Sequence, residues 1–177
     1  MGTVPLRSDR IDLEPVSPAH ADEMVDLLAD RGLYTFYADE ASPSLDELRA
    51  RYARWAAGSS PDGSQTWCTW ILRLRDTGTC AGFVQTTVLL EERTAELAWV
   101  VGTAYQGQGL AREAAAALRD AVLAGTHATG AEPVEQVVAH IAPGNAPSEA
   151  VAAAIGLHPT DDLDPDGERI WRLPPTS

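Results

Sequence analysis

One stretch of the sequence predicts the architecture of the chain: Ala95-Glu-Leu-Ala-Trp-Val-Val-Gly-Thr-Ala-Tyr-Gln-Gly-Gln-Gly-Leu-Ala-Arg112. It begins as an apolar strand, passes through a turn that contains Gly107 and Gly109, and enters a helix. Because glycine has no Cβ, the backbone at these two positions can adopt positive φ and approach a ligand closely. A helix that begins here directs free N–H groups and the positive end of its dipole toward the turn. The stretch therefore predicts an anion site, most simply for a phosphate.

The helix itself is predicted by the spacing of its apolar residues. Leu110, Ala114, Leu118 and Val122 recur every four positions, which places one apolar stripe along a helix that runs from Gly109 to about residue 124. Its many alanines let it lie close against a sheet.

Two other phosphate-binding loops fit this turn less well. A P-loop requires the pattern G-x-x-x-x-G-K-[ST], and the chain contains no lysine. A dinucleotide fingerprint requires Gly or Ala at the position of Arg112 if Gly107 and Gly109 are its first two glycines. An ordinary strand-to-helix turn that happens to contain two glycines stays open as the alternative to a phosphate site.

Length and composition predict one globular domain that spans residues 1–177, since 45% of the 177 residues are hydrophobic. The net charge of -13 argues against nucleic acid and anionic membranes as partners, and it favours cationic partners such as amines. A surface that only keeps the protein in solution would carry the same charge. All basic residues are arginine, so a catalytic lysine is excluded.

Cysteine placement predicts reduced thiols. If residues 77–78 form the turn of a hairpin, Cys80 lies opposite Arg75 and Cys68 lies opposite Thr87. The two sulfurs are then roughly 20 Å apart at the rise of a strand, which excludes a disulfide. Reduced thiols, the lack of an apolar signal region and the lack of a bilayer-spanning run together predict a cytoplasmic protein.

The order of the remaining elements predicts an α+β fold, with a mixed, mostly antiparallel central sheet and helices on both faces. A capping box, S-x-x-E, opens the second helix at Ser44–Glu47. The predicted elements are a strand at Ile11–Glu14, a helix from Ser17 that ends at Gly32, the helix after Ser44, a meander of strands at Thr66–Arg75, Cys80–Leu90 and Thr94–Val101, the helix after Gly109, a strand at Val134–Ala142, a short helix to about Ile155, and a hairpin that turns at Asp164–Gly167.

Two motifs in this order resemble those of the GNAT N-acetyltransferases, in particular the branch related to the RimJ and RimL ribosomal-protein acetyltransferases. The first is Gln106-Gly-Gln-Gly-Leu-Ala111, which reads Q-x-x-G-x-A. The second is Asn145-Ala-Pro-Ser-Glu-Ala-Val151, which reads N-x-x-S-x-x-V and precedes a short helix that ends in Gly156-Leu157. The resemblance covers roughly residues 11–173. It implies an acetyl-CoA-dependent enzyme that transfers an acetyl group directly to a primary amine of a small molecule or a protein N-terminus.

The same resemblance implies where acetyl-CoA binds. The third strand of the meander and the strand at Val134–Ala142 would splay apart and hold the coenzyme between them. A bulge in the third strand would expose an N–H group to the thioester carbonyl, where it would stabilise developing charge. Backbone groups of Trp99, Val100 and Val101 would bond the pantetheine arm. The pyrophosphate would lie on the residues of the turn and the helix start, which are Gln106, Gly107, Gln108, Gly109, Leu110, Ala111 and Arg112. For Arg112, an exposed helix arginine with no ligand is the alternative.

Two side chains are candidate catalytic residues under this resemblance. Glu96 stands where related enzymes often carry an acidic residue, so it is the candidate base, acting through water. An outward-facing strand carboxylate is the alternative for Glu96. Ser148 is the candidate acid near the coenzyme sulfur, because Ala152 occupies the place where many family members carry a tyrosine. Ser148 could instead satisfy N–H groups in the first turn of its helix, and Asn145 could be a helix cap, a coenzyme contact or both.

Several features leave the function partly open. His140 is an alternative base or a core histidine, and the other histidines show no metal-ligand spacing, so no metal is predicted. A non-catalytic acyl-CoA binding or sensing module and another nucleotide-binding enzyme remain alternatives. Homodimers are common in the resembled branch, and nothing in the residues demonstrates one. Segments that usually roof the acceptor site supply the aromatic residues Tyr34, Phe36, Tyr37, Trp55, Trp67 and Trp70, with Asp39 and Glu40 as candidate contacts for an acceptor cation. The alternatives are core packing for the aromatic rings and ordinary loop acids for the two carboxylates.

Overall fold

Eight strands form one sheet within residues 2–35 and 43–175, which are the residues that the computed structural model describes. Their order across the sheet is β1-β2-β3-β4-β5-β6-β8-β7. The pairing of β5 with β6 is parallel, and the other pairings are antiparallel. The strands are β1 (Leu6–Arg7), β2 (Ile11–Pro15), β3 (Gln65–Leu74), β4 (Cys80–Leu89), β5 (Thr94–Val101), β6 (Gln136–Ile141), β7 (His158–Leu163) and β8 (Arg169–Arg172).

The helices cover both faces of this sheet, so the predicted α+β class and layering are confirmed. They are α1 (Ala21–Leu28), α2 (Leu45–Ala56), α3 (Leu110–Ala124) and α4 (Ala146–Ala154). The predicted capping box opens α2: the Glu47 N–H donates to Ser44 Oγ at 3.3 Å, and the Ser44 N–H donates to Glu47 Oε2 at 2.8 Å. Left-handed glycines flank α3, with φ of 78° at Gly109 and 68° at Gly125.

Two apolar cores lie on opposite faces of the sheet. Side chains of α3 such as Leu118 pack with Leu97 and Val137 in one core. Side chains of α1 and α2 such as Met24 and Leu48 form the other core. Because successive side chains of a strand point to opposite faces, each core takes alternate residues of β5. Glu96 therefore lies on the face opposite α3.

The parallel pairing of β5 with β6 is short, and this determines the shape of the site. It covers Thr94 with Gln136, Ala95 with Val137, and Glu96 with Val138. Beyond this point β5 continues to Val101 while pairing only with β4. From Leu97 onward, the edge of β5 that faces β6 therefore lies outside the strand pairing of the sheet. The predicted splay between these two strands is confirmed.

The first helix differs from its prediction at its C-terminus. It ends at Leu28 and not at Gly32, because Ala29 is its C-cap and Gly32 belongs to a following 3₁₀ turn. Asp30 holds this turn by accepting the Gly32 N–H at 2.8 Å. The two-residue strand β1 was also missed, since it is too short to show any periodicity.

The hairpin of β3 and β4 has a different register from the predicted one. Cys68 pairs with Thr86, and Cys80 pairs with Arg73. The register shift arises from an irregularity in the pairing between Leu72 and Arg73. Both cysteines are free, as the sequence predicts, and both are buried.

Candidate functional site

A cleft opens where β5 and β6 diverge. Its first part is a cavity of about 350 Å³. A neighbouring cavity of about 150 Å³ shares Trp99, Asn145 and Ser148 with the first, so the two form one groove, called here the β5–β6 cleft. The first cavity is lined by Gln85, Thr87, Glu96, Leu97, Ala98, Trp99, His140, Ile141, Ala142, Asn145, Ser148 and Glu168. The second cavity is lined by Gly32, Leu33, Thr35, Trp99, Val100, Val101, Gln106, Ala111, Asn145, Pro147, Ser148 and Val151. The strand β5, which precedes the first motif, and the helix α4, which carries the second motif, thus line the same groove.

The glycine turn flanks this groove, because Gln106 and Ala111, which lie on either side of the two glycines, line the second cavity. Gly107 and Gly109 have φ of 74° and 78°, and a Cβ built on Gly107 would meet no heavy atom within 4 Å. Gln106 holds the turn by donating from Nε2 to the carbonyl oxygen of Val101 at 3.0 Å. The turn therefore has the conformation that only glycine adopts easily, with open space above its backbone.

The remaining residues of the predicted loop are placed differently from one another. Ala111 lines the second cavity, and Arg112 is exposed on the first turn of α3. Leu110 is buried in the core, and together with Gln108 it lines a separate cavity of about 210 Å³ beside Arg10. The side chain of Leu110 therefore anchors the helix start in the core.

A clamp that the sequence did not reveal holds this loop from the other side. Glu113 accepts hydrogen bonds from the Arg10 backbone N–H at 2.7 Å, from Arg10 Nε at 2.7 Å and from Ser8 Oγ at 2.7 Å. Arg10 also donates from a terminal nitrogen to the carbonyl oxygen of Gln108 at 3.0 Å. Burial raises the pKa of Glu113, but the hydrogen bonds from Ser8 and Arg10 outweigh it and lower the pKa overall.

The second motif begins α4. Asn145 is the N-cap residue of this helix, and its Oδ1 accepts the Ser148 N–H at 3.3 Å. The predicted cap at Asn145 is therefore confirmed. The contact with the cap involves only the backbone N–H of Ser148. Ser148 lines both parts of the β5–β6 cleft.

The two candidate bases lie together on the wall of the cleft. His140 Nε2 lies 3.8 Å from Glu96 Oε1, and His140 Nδ1 lies 2.8 Å from Asp164 Oδ2. Neighbouring strands bring the first two residues together, since Glu96 pairs with Val138 two positions before His140. Asp164 reaches them from the turn between β7 and β8. The sequence marked Asp164 only as the first residue of that turn.

The pKa values of two carboxylates near His140, those of Asp164 and Glu168, are displaced from their ordinary range. Burial raises the pKa of Asp164, but hydrogen bonds from His140 and from the backbone of Glu168 and Asp166 lower it overall. The pKa of Glu168 is raised by burial and by the nearby charge of Asp164. Glu168 lines the first cavity, and sequence reasoning missed it because nothing local distinguishes it from other surface acids.

The predicted bulge in the third strand of the meander is wrong. The register of β4 with β5 runs unbroken from Gly82 with Val101 to Leu89 with Thr94. Glycine makes this pairing possible, because a Cβ at position 82 would lie 2.1 Å from the carbonyl oxygen of Val100. The two strands therefore stay in close contact without an extra residue.

An aromatic cavity of about 250 Å³ adjoins the cleft and shares Gln85 and Ala98 with it. Its wall includes Tyr34, Trp55 and Phe83, and the last two rings are 5.4 Å apart. Two other predicted aromatic residues, Trp67 and Trp70, do not line this cavity. Trp70 is buried in the core on the α3 face, and Trp67 donates from Nε1 to Gln65. Phe36, Tyr37, Asp39 and Glu40 lie outside the described residues.

Two absences apply to the described part of the chain. In residues 2–35 and 43–175, no helix has the length and apolar character needed to cross a bilayer. Across these same residues, no three or more His, Cys, Asp or Glu side chains are grouped as a metal site.

Comparisons with known proteins agree with this geometry. No curated protein matches the sequence. The fold is similar to that of a GNAT-family acetyltransferase from Bacillus anthracis, with a TM-score of 0.75, 16% identity, and coverage of 96% of this chain and 98% of that one. It is similar to an acetyltransferase from Agrobacterium tumefaciens str. C58, with a TM-score of 0.72, 23% identity, and coverage of 98% and 95%. It is also similar to the aminoglycoside acetyltransferase AAC(6')-Ib in complex with coenzyme A, with a TM-score of 0.72, 17% identity, and coverage of 93% and 94%.

These low identities show only a shared fold, and a family model is what assigns the chain to a family. The model of the acetyltransferase (GNAT) domain matches residues 10–158, which is most of the chain and includes the glycine turn, the second motif and every lining residue of the β5–β6 cleft except Glu168. The chain therefore belongs to the GNAT acetyltransferase family.

Proposed function

We propose that this protein is an acetyl-CoA-dependent N-acetyltransferase that passes an acetyl group directly to a primary amine of a small molecule or a protein N-terminus. The observation that carries the proposal is the β5–β6 cleft, because it joins the part of β5 that does not pair with β6 to a glycine turn at a helix N-terminus. The two motifs at residues 106–111 and 145–151 also support the RimJ and RimL branch of the family.

The residues present fit acetyl-CoA. The β5 residues beyond Glu96 do not pair with β6, and Trp99, Val100 and Val101 line the second cavity, so we assign their backbone to the amide groups of a pantetheine arm. The turn at Gly107 is open, and the N–H groups of the first turn of α3 suit a pyrophosphate. This assigns the pyrophosphate to Gln106, Gly107, Gln108, Gly109, Leu110, Ala111 and Arg112, and assigns Asn145 to the coenzyme wall.

The chemistry requires two proton movements. An alkyl ammonium group with a pKa of about 10 must lose a proton before its nitrogen attacks. Glu96, through water, or His140 accepts this proton, since both side chains line the first cavity. As the nitrogen bonds to the acetyl carbon, it releases its second proton to Ser148, and Ser148 passes its own hydroxyl proton to the sulfur as the carbon–sulfur bond breaks. The hydroxyl is thereby restored, and the transfer needs no acyl-enzyme.

The cleft also favours a cationic acceptor. Glu96 and Glu168 line the first cavity, and the whole chain carries a net charge of -13. These negative charges attract an ammonium group into the cleft and raise its local concentration there. The adjoining wall of Tyr34, Trp55 and Phe83 gives the apolar part of an acceptor a surface to contact.

The test is an assay of thiol release from acetyl-CoA with a broad panel of amines, run beside calorimetric measurement of coenzyme A binding. We expect release with at least one amine and a loss of about 100-fold in kcat for Glu96→Gln or Ser148→Ala. Glu91→Gln is the matched control, because Glu91 is exposed in the turn after β4. Binding of coenzyme A without release across the panel would favour a non-catalytic acyl-CoA module instead.

A further inference from the structure

The turn between β7 and β8 positions one carboxylate oxygen for His140. Asp164 Oδ1 accepts the backbone N–H groups of Asp166 and Glu168, both at 2.9 Å. These bonds fix the side chain and leave Oδ2 for His140 Nδ1 at 2.8 Å. Only 9% of the Asp164 side chain is exposed, so water has little access to compete for this contact.

The charge of Asp164 determines which imidazole nitrogen carries the proton. Burial raises the pKa of Asp164, but its hydrogen bonds lower it overall, so the group is a carboxylate near neutral pH. A carboxylate can only accept hydrogen bonds. The Nδ1 atom of His140 must therefore be the donor, and in a neutral imidazole the lone pair is then on Nε2.

The lone pair on His140 Nε2 lies near a second hydrogen-bond acceptor, the carboxylate of Glu96. Glu96 Oε1 lies 3.8 Å from Nε2, which is too far for a direct hydrogen bond. Both side chains line the first cavity, and Glu168 lines it as well. Two acceptors at this separation can each take a hydrogen from one donor nitrogen that lies between them.

We propose that Asp164 is a positioning residue that holds His140 in the Nδ1–H tautomer, so that His140 Nε2 and Glu96 together bind the acceptor nitrogen. His140 Nε2 then takes the proton that this nitrogen loses, while the nitrogen forms its bond to the acetyl carbon and the carbon–sulfur bond breaks. The tautomer rests on the contact between Asp164 and His140 and on the charge of Asp164. The proton transfer rests on the proposed function.

The tautomer is tested first, by ¹⁵N NMR of the His140 ring in the full chain and in Asp164→Asn. The asparagine keeps an oxygen for the turn N–H groups, and its amide group donates to Nδ1, which forces the hydrogen onto Nε2. We expect the Nδ1–H tautomer in the native protein and the Nε2–H tautomer in the variant. A native protein in the Nε2–H form would overturn the proposal. This measurement on the native protein requires neither enzymatic activity nor a variant that folds.

Kinetics then test the consequence for the reaction. We expect Asp164→Asn to lower kcat by about 100-fold while the KM for acetyl-CoA stays unchanged. Asp162→Asn is the matched control, because Asp162 is an exposed acid of the same hairpin and lies 3.7 Å from Arg172. The double variant with His140→Ala is expected to lose no more than His140→Ala alone, since Asp164 acts through His140.

The outcomes separate this inference from the proposed function. The expected tautomers in a protein that acetylates no amine would support the positioning and contradict the enzyme. An active enzyme in which Asp164→Asn has native kcat would overturn the positioning and leave the enzyme intact.

Discussion

Arg10 Nε lies 2.7 Å from Glu113 Oε2, and this ion pair joins the turn between β1 and β2 to the first turn of α3. The same arginine donates to the carbonyl oxygen of Gln108 inside the glycine turn. A contact between the N-terminal segment and the loop therefore restricts the loop before any ligand arrives. A loop ordered in advance loses less entropy when it binds.

The first prediction removes this clamp. Glu113→Gln is expected to lower the free energy of unfolding by about 1–3 kcal/mol, because hydrogen bonds to a partly buried charge are lost. It is also expected to weaken coenzyme A binding. Urea denaturation and calorimetry measure the two effects. Glu149→Gln, in the first turn of α4, is the matched control and should change neither by much. Equal stability of the Glu113 variant and the native chain would contradict the clamp.

The second prediction concerns pH. The pKa of Glu113 is lowered in the folded chain from its ordinary value of 4.5, although burial alone would raise it. A lowered pKa contributes stability that is present above the unfolded pKa and is lost as the pH falls through the folded one. The stability difference between the native chain and Glu113→Gln is therefore expected to shrink between about pH 6 and about pH 3. A difference that grows on acidification would reverse the sign and refute the assignment.

The third prediction separates backbone strain from ligand contact at the glycine turn. Gly107 and Gly63 share a φ of 74°, and a Cβ on either would meet nothing within 4 Å. Alanine at either position is expected to destabilise the fold by about 1–2 kcal/mol, because both must adopt a left-handed backbone. Only Gly107→Ala is expected to weaken coenzyme A binding, measured by calorimetry. Equal affinity of the two variants would argue against a phosphate at this turn.

The fourth prediction concerns the start of α4. Asn145 supplies the cap, so Asn145→Ala is expected to lower the free energy of unfolding by about 1 kcal/mol. Ser148→Ala keeps the backbone N–H that the cap binds, and it should leave stability within about 0.5 kcal/mol of the native value. Thermal and urea unfolding give both numbers. A larger stability loss for Ser148→Ala than for Asn145→Ala would show that the hydroxyl serves the fold.

The fifth prediction tests the two thiols. Burial raises the pKa of Cys80 to about 11, and it also raises the pKa of Cys68. Because the thiolate is the reactive form, neither residue is expected to react quickly with a disulfide reagent at about pH 8 in the folded chain. Both should react after denaturation without reductant. Fewer than two reactive thiols in denaturant would indicate a disulfide and contradict the free cysteines.

Local signals in the sequence were sufficient for much of the fold. The bounds predicted for Thr94–Val101 are those of β5, because an apolar run that is followed by glycines is a local pattern. The capping box at Ser44–Glu47 placed α2 for the same reason. The first helix was extended to Gly32 because its true end depends on a side-chain bond from Asp30, which glycine spacing does not reveal.

The site was harder to predict where its parts come from distant positions. Glu96 and His140 were proposed separately, and their proximity follows from a parallel pairing that sequence alone does not fix. Asp164 joins them because β8 lies between β6 and β7 in the sheet, whereas the sequence predicted only a hairpin. The bond between Arg10 and Glu113 spans 103 residues, so no local pattern could indicate it.

The interior position of β8 has a consequence for synthesis on the ribosome. A nascent chain that has not yet reached Arg169 leaves the outer edge of β6 without its partner. Such an intermediate exposes a strand edge next to the β5–β6 cleft, where another chain can pair with it. Premature termination in this region is therefore expected to yield aggregation and not a weakly active protein.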